Sequence, residues 1–278
     1  MVRIFYRQEM AASTNSFSPS AHKPCEVVTS WLARFDSLEI VEPHPATIEQ
    51  LSLAHDPEYV EGILSCRLKN GFGNRDPGVA RSLPYTSGAM LGAAREALQN
   101  GKVAVAPCSG FHHAGFSSGS GFCTFNGLMV AAMVLKMEGL VDRVGILDFD
   151  MHYGDGTEGL IRHHNAESWI EHYTAGREYE DDASRAEDFL ARIPERVEEM
   201  RECDVILYQA GADPHIEDPM GGFLTTEQLR ERDRLVFEAA HSLDIPIAWN
   251  LAGGYQTPLR KVLDIHDNTM EECLAVHG

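Results

Sequence analysis

Short apolar runs rich in β-branched residues alternate along the chain with longer stretches in which apolar positions recur every third or fourth residue. The runs Val2–Tyr6, Leu38–Val41, Val103–Ala106, Val144–Asp148, Val205–Gln209 and Ile245–Asn250 predict strands. The stretches Pro24–Arg34, Pro57–Ser65, Thr86–Leu98, Thr124–Met137, Ala186–Met200, Thr226–Ser242 and Leu259–Ala275 predict helices. This alternation implies an α/β fold, a central and mainly parallel sheet with helices on both faces. Two segments predict surface loops: "NGFGNRDPG" (Asn70–Gly78), rich in turn formers, and the acidic "EYEDDASRAED" (Glu178–Asp188), which overlaps the helix after it. Neither a repeat nor a linker divides the sequence, so residues 1–278 read as one domain.

Ligand sites in such sheets lie beyond the carboxyl ends of the strands, and there the apolar pattern breaks. The run Val144–Leu147 ends in Asp148, Asp150, His152 and Asp155. Side chains two apart on a strand share a face, so Asp148, Asp150 and His152 can converge, and Gly154 and Gly156 allow a sharp turn into a helix starting near Asp155. Carboxylates and an imidazole at this spacing suit a divalent metal; alone they would equally suit a helix cap or calcium. The strand Val103–Ala106 leads to the pair His112-His113 in a Gly/Ser-rich loop, with Phe116 and Phe122 either lining a pocket or filling the core. Each imidazole needs a partner for its second nitrogen, and Asp148 and Asp155 are available. Asp213 follows the strand Val205–Gln209, and Tyr255 follows "GG" after the last strand. A phenol there can donate to an oxyanion or simply pack in a turn.

Composition narrows the classes. Hydrophobic residues make up 44% of the chain, enough for a sizeable core. No apolar stretch approaches the roughly 20 residues of a membrane helix, and "MVRIFYRQEM" lacks a signal-peptide layout, so a soluble cytoplasmic protein without a membrane partner is expected. The six cysteines are scattered with no C-x-x-C pair, against a disulfide framework or a zinc–thiolate site. A net charge of −19 argues against nucleic acid and is compatible with steering a cationic substrate, though equally with plain solubility.

Taken in order, "HHA" with "SGFC-x-FN", then "D-x-D-x-H-x-GDGT", "GAD…DPMGGF" and "GGY" resemble the zinc-dependent histone deacetylase family, which includes bacterial acetylpolyamine amidohydrolases. The resemblance spans roughly Leu51 to Tyr255 and implies the arginase–deacetylase α/β fold. By it, Asp150, His152 and Asp213 match the metal ligands, and His112 and His113 the tandem catalytic histidines. Asp148 and Asp155 match the acids that hold them, and Tyr255 the catalytic tyrosine. Phe122 and Met220 match apolar walls of the acyl channel, with Gly121 counted among the substrate-binding residues. Tyr153 stands where many members have a second histidine, and Ala252 replaces a glycine before the tyrosine. The segment "SWIEHYTAGREYEDD" lacks the family's Ser-Leu-His and Phe-Phe features, which leaves Tyr179 as the candidate second aromatic wall.

The chemistry implied is amide hydrolysis with Zn2+ as cofactor, Fe2+ as its alternative, and K+ near Asp148 as an open element. His113, oriented by Asp155, would serve as general base, His112 would stabilise charge, and Tyr255 would hold the oxyanion. The expected partner is a small acylated amine such as an acetylpolyamine, or acetyl-lysine. Asp76 is the rim acid for a cation; its other reading is a turn opened before Pro77. Oligomeric state is left open. Two rivals remain: a binuclear arginase-like ureohydrolase, which would want further metal ligands, and a non-catalytic acyl-ligand sensor.

Overall fold

Alternation along the strands decides the layering, because successive side chains leave a strand on opposite faces. In β4 (Val144–Asp148) Ile146 enters one core and Leu147 the other; in β6 (Val205–Gln209) Leu207 and Ile206 divide the same way, and in β7 (Ile247–Asn250) so do Ala248 and Trp249. These strands join β1 (Val2–Phe5), β2 (Leu38–Val41), β3 (Val103–Ala106) and β5 (Ile170–Thr174). The computed structural model describes residues 1–278 and arranges them as one seven-stranded sheet, order β2-β1-β3-β7-β6-β4-β5. Every pairing is parallel, so both faces must be covered by the crossover segments. Helices α1 (Lys23–Arg34), α7 (Ala186–Glu198), α8 (Thr226–Ser242) and α9 (Arg260–His277) cover one face. Helices α2 (Ile48–Leu51), α3 (Pro57–Leu64), α4 (Pro77–Asn100), α5 (Gly127–Met137) and α6 (Asp155–His163) cover the other. No helix is long and apolar enough to cross a membrane.

The expected α/β fold is the observed one, and its six expected strands are present within two residues of their ends. The seventh, β5, was missed because "IEHYT" carries polar residues that an edge strand tolerates: only Ile170 and Thr174 are buried. Helix α4 starts nine residues before the expected Thr86. Pro84 lies within the added turns, where an interior proline removes a helix hydrogen bond. The helix runs through it because buried Val79, Ala80 and Ser82 anchor the preceding turns and Asp76 caps them. The Asp76 carboxylate accepts the backbone N–H groups of Gly78 (2.6 Å) and Val79 (3.1 Å), with Pro77 in the first turn. Helix α5 starts at Gly127 rather than Thr124, where the Asn126 side chain accepts the Met129 N–H at 3.1 Å.

The geometry thus commits one oxygen of Asp76 to its helix, the turn-opening role rather than the rim role. Asp76→Ala should cost about 1 kcal/mol, the usual worth of a cap, and lower Tm by about 2–4 °C. Thermal unfolding beside catalytic efficiency checks this: loss of activity toward a cationic substrate without loss of stability would restore Asp76 to the rim.

Candidate active site

The loops singled out in the sequence leave β3, β7, β6 and β4, which are consecutive in the sheet. Their chain separation is therefore irrelevant; the ladder brings four loop origins side by side. Asp150 and His152 come from the turn after β4 and Asp213 from the turn after β6. Their ligand atoms all lie within 4.8 Å of one another. His152 Nδ1 is 3.2 Å from Asp150 Oδ1 and 3.1 Å from Asp213 Oδ2. Backbone donors orient both acids: the Gly253 N–H to Asp150 Oδ2 (2.9 Å) and the Met151 N–H to Asp213 Oδ1 (3.3 Å). Gly253 has to be glycine, because a Cβ there would collide with both carboxylates.

Two buried carboxylates at this distance repel. Burial, then the charge of Asp150, pushes the Asp213 carboxyl up. Burial also opposes ionisation of Asp150, but the cationic His112 and His152 outweigh it and hold Asp150 well below the usual range. Hydrogen bonds to Asp150 and Asp213 raise His152 to about 11, so without a metal a proton on this imidazole is the cation between the acids. Two carboxylates and one imidazole, held in place by the backbone and in need of positive charge, fit a divalent metal.

The tandem histidines stand beside this set. His112 Nδ1 is 2.7 Å from Asp148 Oδ2, and His113 Nδ1 is 2.7 Å from Asp155 Oδ1. An ionised acid at Nδ1 keeps the proton there. Asp148 is itself held by Gln209 Nε2 at 3.0 Å and the Asp150 N–H at 3.2 Å, both donating to Oδ1. The two rings lie 4.1 Å apart, and their surroundings drive them in opposite directions. Burial lowers His112, yet Asp148, Asp150 and Asp213 overcome it and raise it to about 9. Burial and then the charged His112 lower His113, against the pull of Asp155. One imidazole is held charged and its neighbour neutral.

Gly121, at φ +52°, lies against the His113 ring, where a Cβ would strike it. Phe122 follows at φ +64°, an unusual conformation for a bulky side chain. Its ring meets Tyr255 (5.6 Å between centroids), Phe72 (5.5 Å) and Phe17 (5.3 Å, edge-on). The Tyr255 phenol is kept protonated: burial, then Asp213 and Asp150, push it far above its ordinary value. Asp218 ties Tyr255 to Met220, accepting the N–H of Tyr255 at 2.7 Å and that of Met220 at 3.0 Å. Met220 itself is exposed. Behind the turn, the fully buried Lys23 Nζ donates to the carbonyls of Ala252 (2.6 Å) and Gly253 (2.9 Å). Ala252 occupies the left-handed region at φ +49°, where a glycine would be unstrained.

Of the residues named from the sequence, Asp76 stands apart as the cap of α4. Tyr179 is not a channel wall: it is 2% exposed and stacks on Phe223 in the core at 5.5 Å. Sequence reading missed Phe17, Phe72, Lys23, Asp218 and Gln209. Phe17 is the one with a visible signal, a large apolar residue in a Ser/Asn-rich segment, and it is 73% exposed.

Residues 18–179 and 172–270 match the model of the histone deacetylase domain. The chain belongs to the histone deacetylase family. That membership places it among hydrolytic deacetylases. It is 27% identical over 249 residues to an uncharacterized protein of Picosynechococcus sp., covering 82% of each chain. It is 30% identical to the acetoin utilization protein AcuC of Staphylococcus aureus (strain COL), over 66% of this chain and 57% of AcuC, so it matches little more than half of that longer relative. Among solved structures, the HDA15 HD domain aligns with TM-score 0.78 at 18% identity, covering 99% of this chain and 89% of that one. The acetylpolyamine aminohydrolase of Burkholderia pseudomallei aligns with TM-score 0.76 at 17% identity over the whole of both chains. At these identities the two structures support the fold, which is the arginase–deacetylase α/β fold.

In a histone deacetylase family member with this donor set, metal and proton compete. Its neighbouring acids raise His152, and an imidazole ligates only when deprotonated, so a metal bound there would release a proton and its affinity would fall as pH falls. Competition with a chromogenic chelator should show the apparent Kd weakening about tenfold per pH unit between about pH 8 and about pH 6. A pH-independent Kd would remove His152 from the ligand set.

Proposed function

We propose that the protein is a metal-dependent amidohydrolase that removes an acetyl or other short acyl group from an acylated amine, with Zn2+ as its metal and Fe2+ as the alternative. The observation that carries this is the placement of the Asp150–His152–Asp213 set beside two imidazoles, each tethered to a carboxylate through Nδ1. A divalent metal bound there would supply Lewis acidity toward the amide carbonyl and toward water. The neutral His113 has Nε2 free to take a proton from the attacking water and return it to the leaving amine, while Asp155 fixes its tautomer. His112, tethered to Asp148, would lend positive character to the site as negative charge develops in the transition state. The Tyr255 hydroxyl, protonated throughout, donates to the oxyanion. Because Asp218 and Lys23 hold the turn that carries it, this donor is organised before substrate arrives.

The substrate reading rests on the mouth. Phe17 and Phe122 offer rings beside Tyr255, with Phe72 packed on Phe122, an apolar lining that suits a slender alkyl chain. The acid packed on the Met220-bearing turn is Asp181, whose carboxylate accepts the Gly222 N–H at 3.1 Å. Together with the net charge of −19 this favours a small cationic amide, such as an acetylpolyamine, over a histone tail. The acetylpolyamine aminohydrolase among the similar folds is consistent with that choice.

Two measurements follow. His113→Ala and Tyr255→Phe should each lower kcat at least about tenfold, the usual worth of one such group, with metal content unchanged; wild-type turnover by metal-loaded His113→Ala would place the base elsewhere. Acetylputrescine or acetylspermidine should be hydrolysed with higher kcat/KM than an acetyl-lysine peptide, and the preference should shrink at high salt as the attraction is screened. Phe17→Ala should raise KM for both. A salt-independent preference for the peptide would defeat the polyamine reading.

A further inference from the structure

We propose that Arg232 is a positioning residue of the candidate metal site: its single buried guanidinium clamps the two strand ends from which Asp150 and Asp213 extend. This rests on the metal-dependent reading above. Arg232 lies midway along α8 and is fully buried. Its helix turns Leu229, Arg232, Asp233, Val236 and Phe237 all inward, so a charged pair occupies two positions of an otherwise apolar stripe. An ion pair in such a place is commonly less stable than apolar side chains of similar size. What it offers in return is hydrogen-bond donors where apolar groups have none.

Each donor has an address. Nε and Nη2 form a fork on the Asp233 carboxylate at 2.9 and 3.1 Å, and Nη1 donates to the carbonyls of Phe149 (3.2 Å) and Gly211 (2.5 Å). Phe149 immediately precedes Asp150, and Gly211 lies two residues before Asp213. The ladder between β4 and β6 ends at Asp148 and Gln209, with a final rung from the Phe149 N–H to the Gln209 carbonyl at 3.1 Å. Beyond that rung no backbone–backbone bond joins the two chains; the long contact from the Met151 N–H to the Asp213 carboxylate (3.3 Å) is the direct link, and their next acids repel each other. Arg232 bridges them there. Asp233 is fixed in turn by the Tyr208 hydroxyl from β6 (2.5 Å) and the Thr269 hydroxyl from α9 (2.6 Å), so the clamp is anchored on both sides. The guanidinium therefore holds the spacing of the two carboxylates whether or not a cation lies between them.

Arg232→Lys tests this, because one ammonium cannot hold the Asp233 carboxylate and reach both carbonyls at once. Val236→Ala is the control: it removes buried apolar volume from the same face of α8 and takes part in none of the clamp's hydrogen bonds. Zn2+ affinity is read by chelator competition, the ligand field by the visible spectrum of the Co2+-loaded protein, and stability by Tm in excess chelator. Arg232→Lys should weaken Zn2+ binding about tenfold or more, as loss of a group that holds metal ligands typically does, and should alter the Co2+ bands. Val236→Ala should lower Tm and leave both unchanged. If Arg232→Lys does not fold, the double variant Arg232→Gln/Asp233→Asn, which removes the charge pair together, should show the same weakening. Wild-type affinity and spectrum in the Arg232 variants would overturn the clamp, as would weakening in Val236→Ala in step with its Tm. Absence of metal binding by the unaltered protein would overturn the metal reading itself, which the wild-type titration alone reveals.

Discussion

Two carboxylates, Asp150 and Asp213, are buried within reach of each other and of one imidazole. Like charges in a poorly hydrated place are costly unless something positive joins them. Most of what surrounds them answers that need. Gly253 and Met151 supply backbone N–H groups. His152 supplies a titratable cation, and Lys23 and Arg232 approach from behind, each spending its donors on the carbonyls of turns that carry site residues. The arrangement is poised for a divalent ion because the charge it lacks is the charge such an ion brings.

The tandem histidines show how one charge sets another. His112 lies between Asp148 and Asp150, which raise it against its burial; His113, one residue on, is lowered by burial and then by the charge on His112. Their loop is not left to find its own shape. The fully buried His55 accepts the Asn126 N–H at 2.8 Å and lies 2.8 Å from the Gly115 carbonyl, closing the loop from within. Burial pulls His55 down to about 4, so it remains neutral and keeps both bonds across the working pH range. Gly156 brings the start of α6 against the backbone of the pair, where a Cβ would collide.

Much of this was legible from residue order. Strands of apolar, β-branched residues had to pair with parallel neighbours, and acids and imidazoles just past them had to gather at one edge. Helix α8 was read to its end residues because its apolar stripe and its Thr225 cap are local signals. β5 was not legible, since an edge strand lies half in solvent and need not look apolar. Nor was the start of α4, where a cap and a buried face outweighed Pro84. Tyr179 looked like a wall and became core because Phe189 and Phe223 pack on its ring, contacts that no spacing announces.

The sequence by itself determined six of the seven strands and the acids and imidazoles at their carboxyl edge, because periodicity and residue chemistry are local properties. Strand order, and with it the meeting of Asp150 with Asp213, follows from pairing between segments about 60 residues apart in the chain. Tertiary structure alone decided which polar groups serve the site from a distance. Lys23 and Arg232 are ordinary cations in the sequence. They become part of the site because folding removes water from them and turns their donors to the carbonyls of the turns that carry site residues, with Asp233 as the further partner of Arg232.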